Sequence, residues 1–475
     1  MDSVERASGV IGAVRAAGAR EFCVCAGSRN APLLAVLGKS DARLFSFVDE
    51  RSAAFFALGR MKLHGQPVAV VTTSGTAVAE LLPAAIEGYY SGLPLILITA
   101  DRPARFRGTG APQSIEQVGI FGGYASTSLE AWDHGRPLHL NVELEEYGVE
   151  MGPGPEPPAL PRGGRAEARP TFEAAALPPH SRPLVVIGGL AERHRAFVKS
   201  RVRGAAVYAE PLSGLREDRD LPLIPSERML ARGLFDVVVR VGNVPTLRFW
   251  RDLESMDLPV VHFSDLPFSG LTRGEVHPIE ALPEISGEPL PRTDFEERFA
   301  EILADEPQSE LAMIRRLSEE LPRNARVYLG NSLPIREWDL AATREPRGFV
   351  YEANRGANGI DGQLSTFLGW CAPGAENVCV VGDLTAIYDL GAPWIAPQLD
   401  ASFRIVVVNN GGGRIFGRVA SLRALDPELR ARIIENEHSF SFEQWAKMWD
   451  IDVTELRPDA AASARAWERY DALWR

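Results

Sequence analysis

A chain of 475 residues exceeds what one hydrophobic core organises, so two or three domains are expected. Its 45% hydrophobic and 24% charged residues are the balance of a globular protein, and no apolar run is long enough to span a bilayer. A net charge of −12 without a basic tract argues against a nucleic-acid partner.

In chain order, Met1-Asp2-Ser3-Val4-Glu5-Arg6 forms no signal-peptide n-region, so a soluble cytoplasmic protein is the expectation. From Ala19 to about Asn141 strands alternate with helices. Glu21 to Ala26 reads as a strand ending in Gly27-Ser28-Arg29, and Leu44 to Val48 as a second ending in Asp49-Glu50-Arg51. The helix that follows carries Ala54, Phe55, Leu58 and Met61 on one face. Pro67 to Thr72 and Leu95 to Thr99 are further apolar strands. Strands apolar on both faces and alternating with helices predict a parallel sheet.

Cys23 and Cys25, two apart in one strand, share a face and do not bridge readily. With Cys371 and Cys379 they lack zinc-ribbon spacing and read as buried thiols. The eight histidines are scattered singly and read as surface or satisfied core residues.

Residues 151–180, with a Gly-Pro-Gly-Pro-Glu-Pro-Pro run, predict a linker. A second α/β unit spans 181–305, with strands near Leu184 to Ile187, Val237 to Val241 and Val260 to Phe263. Gly188-Gly189 is only a fragment of a dinucleotide fingerprint and does not predict a nucleotide site. Ile302 to Leu321 reads as a helix leading into a third unit, 306–475. Its strands are Arg326 to Leu329, Gly348 to Glu352, Val378 to Val381 and Arg404 to Val408. The fold class is α/β, three domains with mainly parallel sheets.

Chemistry concentrates in the third unit. One strand ends in Gly382-Asp383-Leu384, the other in Asn409-Asn410-Gly411-Gly412-Gly413. Ligands of parallel sheets collect at such strand ends. A carboxylate and an amide oxygen are hard ligands suited to Mg²⁺, which bridges protein to phosphates, and glycines let the backbone approach. Either segment alone is better read as a turn or helix cap; together they favour a metal–diphosphate site.

This pair resembles the motif of thiamine-diphosphate enzymes, Gly-Asp followed about two dozen residues later by Asn-Asn. Leu384 stands where many members have glycine. The resemblance implies the thiamine-diphosphate-enzyme fold, with a pyrimidine-binding domain (1–150), a middle domain (181–305) and a diphosphate-binding domain (306–475). It implies Mg²⁺ (or Mn²⁺) held by Asp383, Asn410 and the Gly412 carbonyl, with Gly382, Leu384, Ile415 and Phe416 along the cofactor. Glu50 matches the catalytic glutamate of such enzymes. A carboxyl group on the aminopyrimidine stabilises its imino form, which removes the thiazolium C2 proton.

Further segments narrow the resemblance. They are Cys25-Ala26-Gly27-Ser28-Arg29-Asn30, Val48-Asp49-Glu50-Arg51, Thr73-Ser74-Gly75-Thr76, Asp101-Arg102-Pro103, Gln113-Ser114-Ile115-Glu116-Gln117, Glu210-Pro211-Leu212-Ser213-Gly214-Leu215-Arg216, Gly330-Asn331-Ser332-Leu333-Pro334-Ile335-Arg336 and Asn354-Arg355-Gly356-Ala357-Asn358-Gly359-Ile360-Asp361-Gly362. Together they resemble the 2-succinyl-5-enolpyruvyl-6-hydroxy-3-cyclohexene-1-carboxylate synthases of menaquinone biosynthesis.

That resemblance implies decarboxylation of 2-oxoglutarate and conjugate addition of the succinyl unit to isochorismate. Both substrates are dicarboxylates, which arginine forks suit. Arg29, Arg102, Arg336 and Arg355 match the family's arginines, and Ser28, Gln113 and Ser332 its neutral partners. Arg248 is the nearest match to a basic pair of the middle domain. A homodimer or homotetramer with sites across the subunit interface is implied as well. The stretch after Asn410 is short for the family, so a missing closing strand or helix is the expectation. The rival readings are another thiamine-diphosphate 2-oxoacid decarboxylase or carboligase, which has no need of the arginine set, and a non-catalytic binding protein of the same fold.

Overall fold

Val68 to Thr72 is buried at every position, so this strand has neither a wet face nor a free edge and must pair on both sides. In the computed structural model, which describes residues 3–145, 172–232, 235–288 and 293–474, it does. Residues 151–171 of the expected linker lie outside the described residues. The first sheet comprises β1 (Glu21–Cys25), β2 (Arg43–Phe47), β3 (Val68–Thr72), β4 (Leu95–Asp101) and β5 (Leu138–Glu143), all parallel, in the order β2-β1-β3-β4-β5.

The next elements are β6 (Pro183–Ile187), β7 (Val202–Arg203), β8 (Ala206–Ala209), β9 (Val237–Val241), β10 (Val260–Phe263), β11 (Val276–His277) and β12 (Ile285–Ser286). β7 and β12 form a two-stranded ladder, and the rest a second parallel sheet, β11-β10-β9-β6-β8. The third sheet is β14-β13-β15-β16-β17, from β13 (Arg326–Leu329), β14 (Val350–Glu352), β15 (Asn377–Gly382), β16 (Arg404–Val408) and β17 (Asp452–Leu456). Numbered within its own unit, each large sheet has the order 2-1-3-4-5. The crevice of such a sheet opens where the chain reverses direction, between its first and third strands.

Two expectations are corrected. The stretch from Ile302 to Leu321 is not one helix but the end of helix Phe295–Asp305 and all of helix Glu310–Glu320. Pro307 lies in the break, and the Ser309 side chain caps the second helix at Ala312 N–H. The third sheet also has a closing strand and helix, β17 and Ala460–Ala472. β17 pairs with β16 along its whole length, but its sequence Asp-Val-Thr-Glu-Leu has only two apolar residues, as befits an edge strand.

The first and third units share one hydrophobic core. Helix Glu50–His64 crosses helix Gln363–Trp370 so closely that a Cβ on Gly59 would lie 2.0 Å from the Thr366 carbonyl oxygen, and one on Gly369 2.1 Å from that of Phe56. Arg51 pairs with Asp389 at 2.9 Å, and Asp389 also accepts the Gly362 and Leu364 N–H groups that open the second helix. Arg216, fully buried, joins the middle and third units. Its guanidinium donates to the carbonyls of Trp338, Asp339, Ala342 and Thr343 at the end of helix Leu333–Ala341. A helix C-terminus is where a cation with five donors is most useful. The Gly188-Gly189 pair serves packing, since a Cβ on Gly188 would sit 2.2 Å from the Asn243 carbonyl.

Candidate active site

β15 and β16 end side by side, Gly382 opposite Val408, so the residues that follow them meet. Asp383 is 2% exposed. Its Oδ2 accepts the N–H groups of Gly411 (2.8 Å) and Gly412 (2.9 Å), and its Oδ1 that of Leu384 (2.6 Å). Burial nevertheless raises the Asp383 carboxyl above its usual range, against the pull of those hydrogen bonds. Beside it, Asn410 Nδ2 donates to Glu310 Oε1 at 3.0 Å, while Asn410 Oδ1 is buried with no hydrogen-bond partner. A buried carboxylate next to an orphaned amide oxygen is a donor set that a hard cation satisfies. The Gly412 carbonyl accepts the Arg414 N–H at 2.9 Å and keeps a second lone pair. Gly412 has φ +136°, and a Cβ there would meet the Glu435 carbonyl at 2.6 Å.

Ile415 and Phe416 follow in the 3-10 turn Arg414–Arg418, Phe416 exposed. The segment around residues 435–438 lies across the glycine run. Glu435 accepts the Gly413 N–H, His438 N–H donates to the Gly411 carbonyl, and Arg414 bonds both Glu435 and Glu437. His438, grouped from sequence with the other scattered histidines, has Nε2 3.4 Å from Asp383 Oδ2. A lone histidine with no motif around it carries no signal that would have singled it out.

The other candidates fall into two groups. At the carboxyl ends of the first sheet, Glu50 opens helix Glu50–His64 directly after its cap Asp49. Burial, with the charges of Asp49 and Glu80 nearby, raises the Glu50 carboxyl. Exposed Ser28 and buried Arg29 follow β1, where Arg29 donates to the Leu144 carbonyl at 3.1 Å. Arg102 follows β4 and donates to the Pro112 carbonyl at 3.0 Å. Gln113 is exposed at φ +54°, packed on Gly75 after β3.

The second group lies between the middle and third units. Ser332, at φ +73°, follows β13, and its carbonyl accepts a 2.6 Å hydrogen bond from Arg336. Arg355 donates to Asn331 Oδ1 at 2.6 Å, and Asn331 in turn holds the carbonyls of Asn354 and Gly359. The loop is tied to the first unit by Glu87, which accepts the Gly356 and Ala357 N–H groups. Glu227 accepts the backbone N–H of Arg248, whose exposed side chain pairs with Asp252. Glu210, from the middle unit, is buried against this group; burial first, then Asp339, push its carboxyl up to about 7. Left-handed backbone at Ser332 and Gln113, unfavourable for side chains with a Cβ, marks both loops as held by their surroundings. No hydrogen bond or ion pair among the described residues links Glu50 to Asp383 or Asn410.

Among the described residues one further group could hold a cation: His194, Asp265 and Glu280 in the middle unit, with ligand atoms within 4.8 Å of one another. Asp265 is already paired with Arg193, and His194 Nε2 lies 3.0 Å from it. The group is separate from the strand-end pair.

Residues 5–120 match the family described as thiamine pyrophosphate enzyme, N-terminal TPP binding domain. The chain is 40% identical to the 2-succinyl-5-enolpyruvyl-6-hydroxy-3-cyclohexene-1-carboxylate synthase of Bdellovibrio bacteriovorus, over 100% of both chains. It is 39% identical to that of Akkermansia muciniphila, over 95% of this chain and 91% of the relative, and 32% identical to that of Halorhodospira halophila, over 94% and 89%. The crystal structure of benzoylformate decarboxylase from Polynucleobacter necessarius superposes with a TM-score of 0.68 at 15% identity, covering 99% of this chain and 97% of that one. At that identity the likeness concerns the fold.

Proposed function

Since this chain belongs to the family of 2-succinyl-5-enolpyruvyl-6-hydroxy-3-cyclohexene-1-carboxylate synthases, we propose a residue-by-residue account of how it performs that reaction. The enzyme is a thiamine-diphosphate-dependent carboligase of menaquinone biosynthesis, which decarboxylates 2-oxoglutarate and adds the remaining succinyl unit to isochorismate. The observation that carries the site is the buried Asp383 carboxylate beside the partnerless Asn410 amide oxygen, at the carboxyl ends of the adjacent strands β15 and β16. With the Gly412 carbonyl, these groups would hold Mg²⁺ or Mn²⁺, whose charge would offset that of a diphosphate. Gly382, Leu384, Ile415 and Phe416 are assigned to contacts along the cofactor, residues 1–150 to the pyrimidine, 181–305 to the middle domain and 306–475 to the diphosphate.

When bound, thiamine diphosphate would supply a nucleophilic carbanion and an electron sink for the decarboxylation. The protein's part is proton control and orientation. Glu50 would hold a ring nitrogen of the aminopyrimidine through its carboxyl group and so favour the tautomer that accepts a proton. Arg29, Arg102, Arg336 and Arg355 meet substrate carboxylates, with Ser28, Gln113 and Ser332 as neutral donors and Arg248 at the rim. Glu50 follows β2 of the first sheet and the metal pair follows β15 and β16 of the third, with no hydrogen bond or ion pair between them among the described residues, and Val48 and Phe416 are exposed next to each. A homodimer or homotetramer that brings one copy's Glu50 to another's Asp383 accounts for this.

The test is a substrate pair. Purified protein with Mg²⁺ and thiamine diphosphate should release CO₂ from 2-oxoglutarate and consume isochorismate. Preferential turnover of pyruvate would transfer the assignment to a different carboligase.

A further inference from the structure

An amide side chain offers oxygen on one side and NH₂ on the other in nearly the same shape, so its partner decides which way it points. We propose that Glu310 is a positioning residue that turns the Asn410 amide so that its oxygen faces the divalent cation. The inference rests on the reading of Asp383 and Asn410 as the cation's ligands, and deepens it.

Glu310 Oε1 receives Asn410 Nδ2–H at 3.0 Å, which leaves Oδ1 as the atom without a partner. Glu310 is 3% exposed. A reversed amide would set two oxygens together where little water can separate them. The carboxylate is held in turn. Its residue is the first of helix Glu310–Glu320, anchored by Glu310 N–H to Ser463 Oγ at 3.0 Å on the closing helix. The fully buried Glu337 meets it from the next helix, while Glu337 Oε1 accepts Arg418 Nη2 at 2.9 Å. The Arg418 guanidinium carbon lies over the Trp467 ring, 3.6 Å from its centroid. Burial, with Glu310 beside it, pushes the Glu337 carboxyl well up. The break at Pro307 and the closing helix, both absent from the sequence-based expectation, are what bring Glu310 here.

The experiment is Mn²⁺ binding followed by electron paramagnetic resonance, with thiamine diphosphate present and no substrate. Glu310→Leu should weaken Mn²⁺ binding by about 10–100-fold, the usual effect of removing a group that orients a metal ligand. Glu310→Gln should stay within about threefold of the parent, because its amide can turn an oxygen to Asn410. Unchanged binding by Glu310→Leu overturns the proposal, and so does a loss in Glu310→Gln equal to that in Glu310→Leu, which would make the charge the active feature. Should Glu310→Leu fail to fold, Asn410→Asp replaces it. That variant should bind Mn²⁺ weakly because two carboxylates then face each other, and adding Glu310→Gln should recover binding; no recovery overturns the proposal. Asp383→Asn separates the two levels: if it binds Mn²⁺ like the parent, the ligand reading itself fails and this inference with it.

Discussion

Single side chains divide here into those that announce themselves and those that do not. Asp383 and Asn410 were legible because each ends an apolar strand within one short stretch of chain. Arg216 and Glu310 were not, because their partners lie more than 90 residues away and only the fold selects them. Glu50 was singled out only through its motif, since a glutamate at a helix start is ordinary. Glu50→Gln should retain cofactor in an equilibrium-binding assay yet lose about 10²–10⁴-fold in turnover; full activity would remove Glu50 from the mechanism. Glu21 makes a second case. Burial opposes its charge, but hydrogen bonds from His64 and Arg60 outweigh that and bring its carboxyl from 4.5 down to about 2. A depressed carboxylate stabilises the fold above its unfolded pKa and loses that contribution as pH falls through the folded value. Stability should therefore drop between about pH 4.5 and 2 by about 2–3 kcal/mol through this group. Urea melts of Glu21→Gln should lack that part of the acid limb; an unchanged limb would assign it to other carboxylates.

Elements were readable where one rule dominates. Continuous apolar runs gave the central strands, whereas the edge strands β5 and β17 mix polar residues into a half-covered face and carry no such run. The meeting of helices Glu50–His64 and Gln363–Trp370 depends on two glycines whose role is visible only across the interface. Gly59→Ala inserts a methyl group against the Thr366 carbonyl and should cost about 1–3 kcal/mol of stability. Gly9→Ala is the counter-case: Gly9 is exposed inside helix Ser3–Ala16 with nothing within 4 Å of a new Cβ. That change should gain about 0.5–1 kcal/mol. Opposite shifts in thermal midpoint for the two variants are expected, and a stabilised Gly59→Ala would refute the close crossing.

At the scale of the whole molecule, three large sheets of one topology place Glu50 after β2 of the first and Asp383 and Asn410 after β15 and β16 of the third. Sequence reading named both ends from local motifs but had no means of deciding whether one chain closes the gap, because that depends on surfaces rather than periodicity. The arrangement can be decided by mixing two inactive variants. In a symmetric dimer with shared sites, a subunit carrying Glu50→Gln beside one carrying Asp383→Asn leaves one site with both defects and the other with none. Subunits mixed equally, after reversible dissociation or by co-expression, should therefore recover about a quarter of the parent's active sites. If Glu50 and Asp383 of the same chain served one site, every mixed dimer would hold two damaged sites and no activity would return. Recovery that scales with the fraction of mixed dimers would place each cation pair opposite the glutamate of a neighbouring copy.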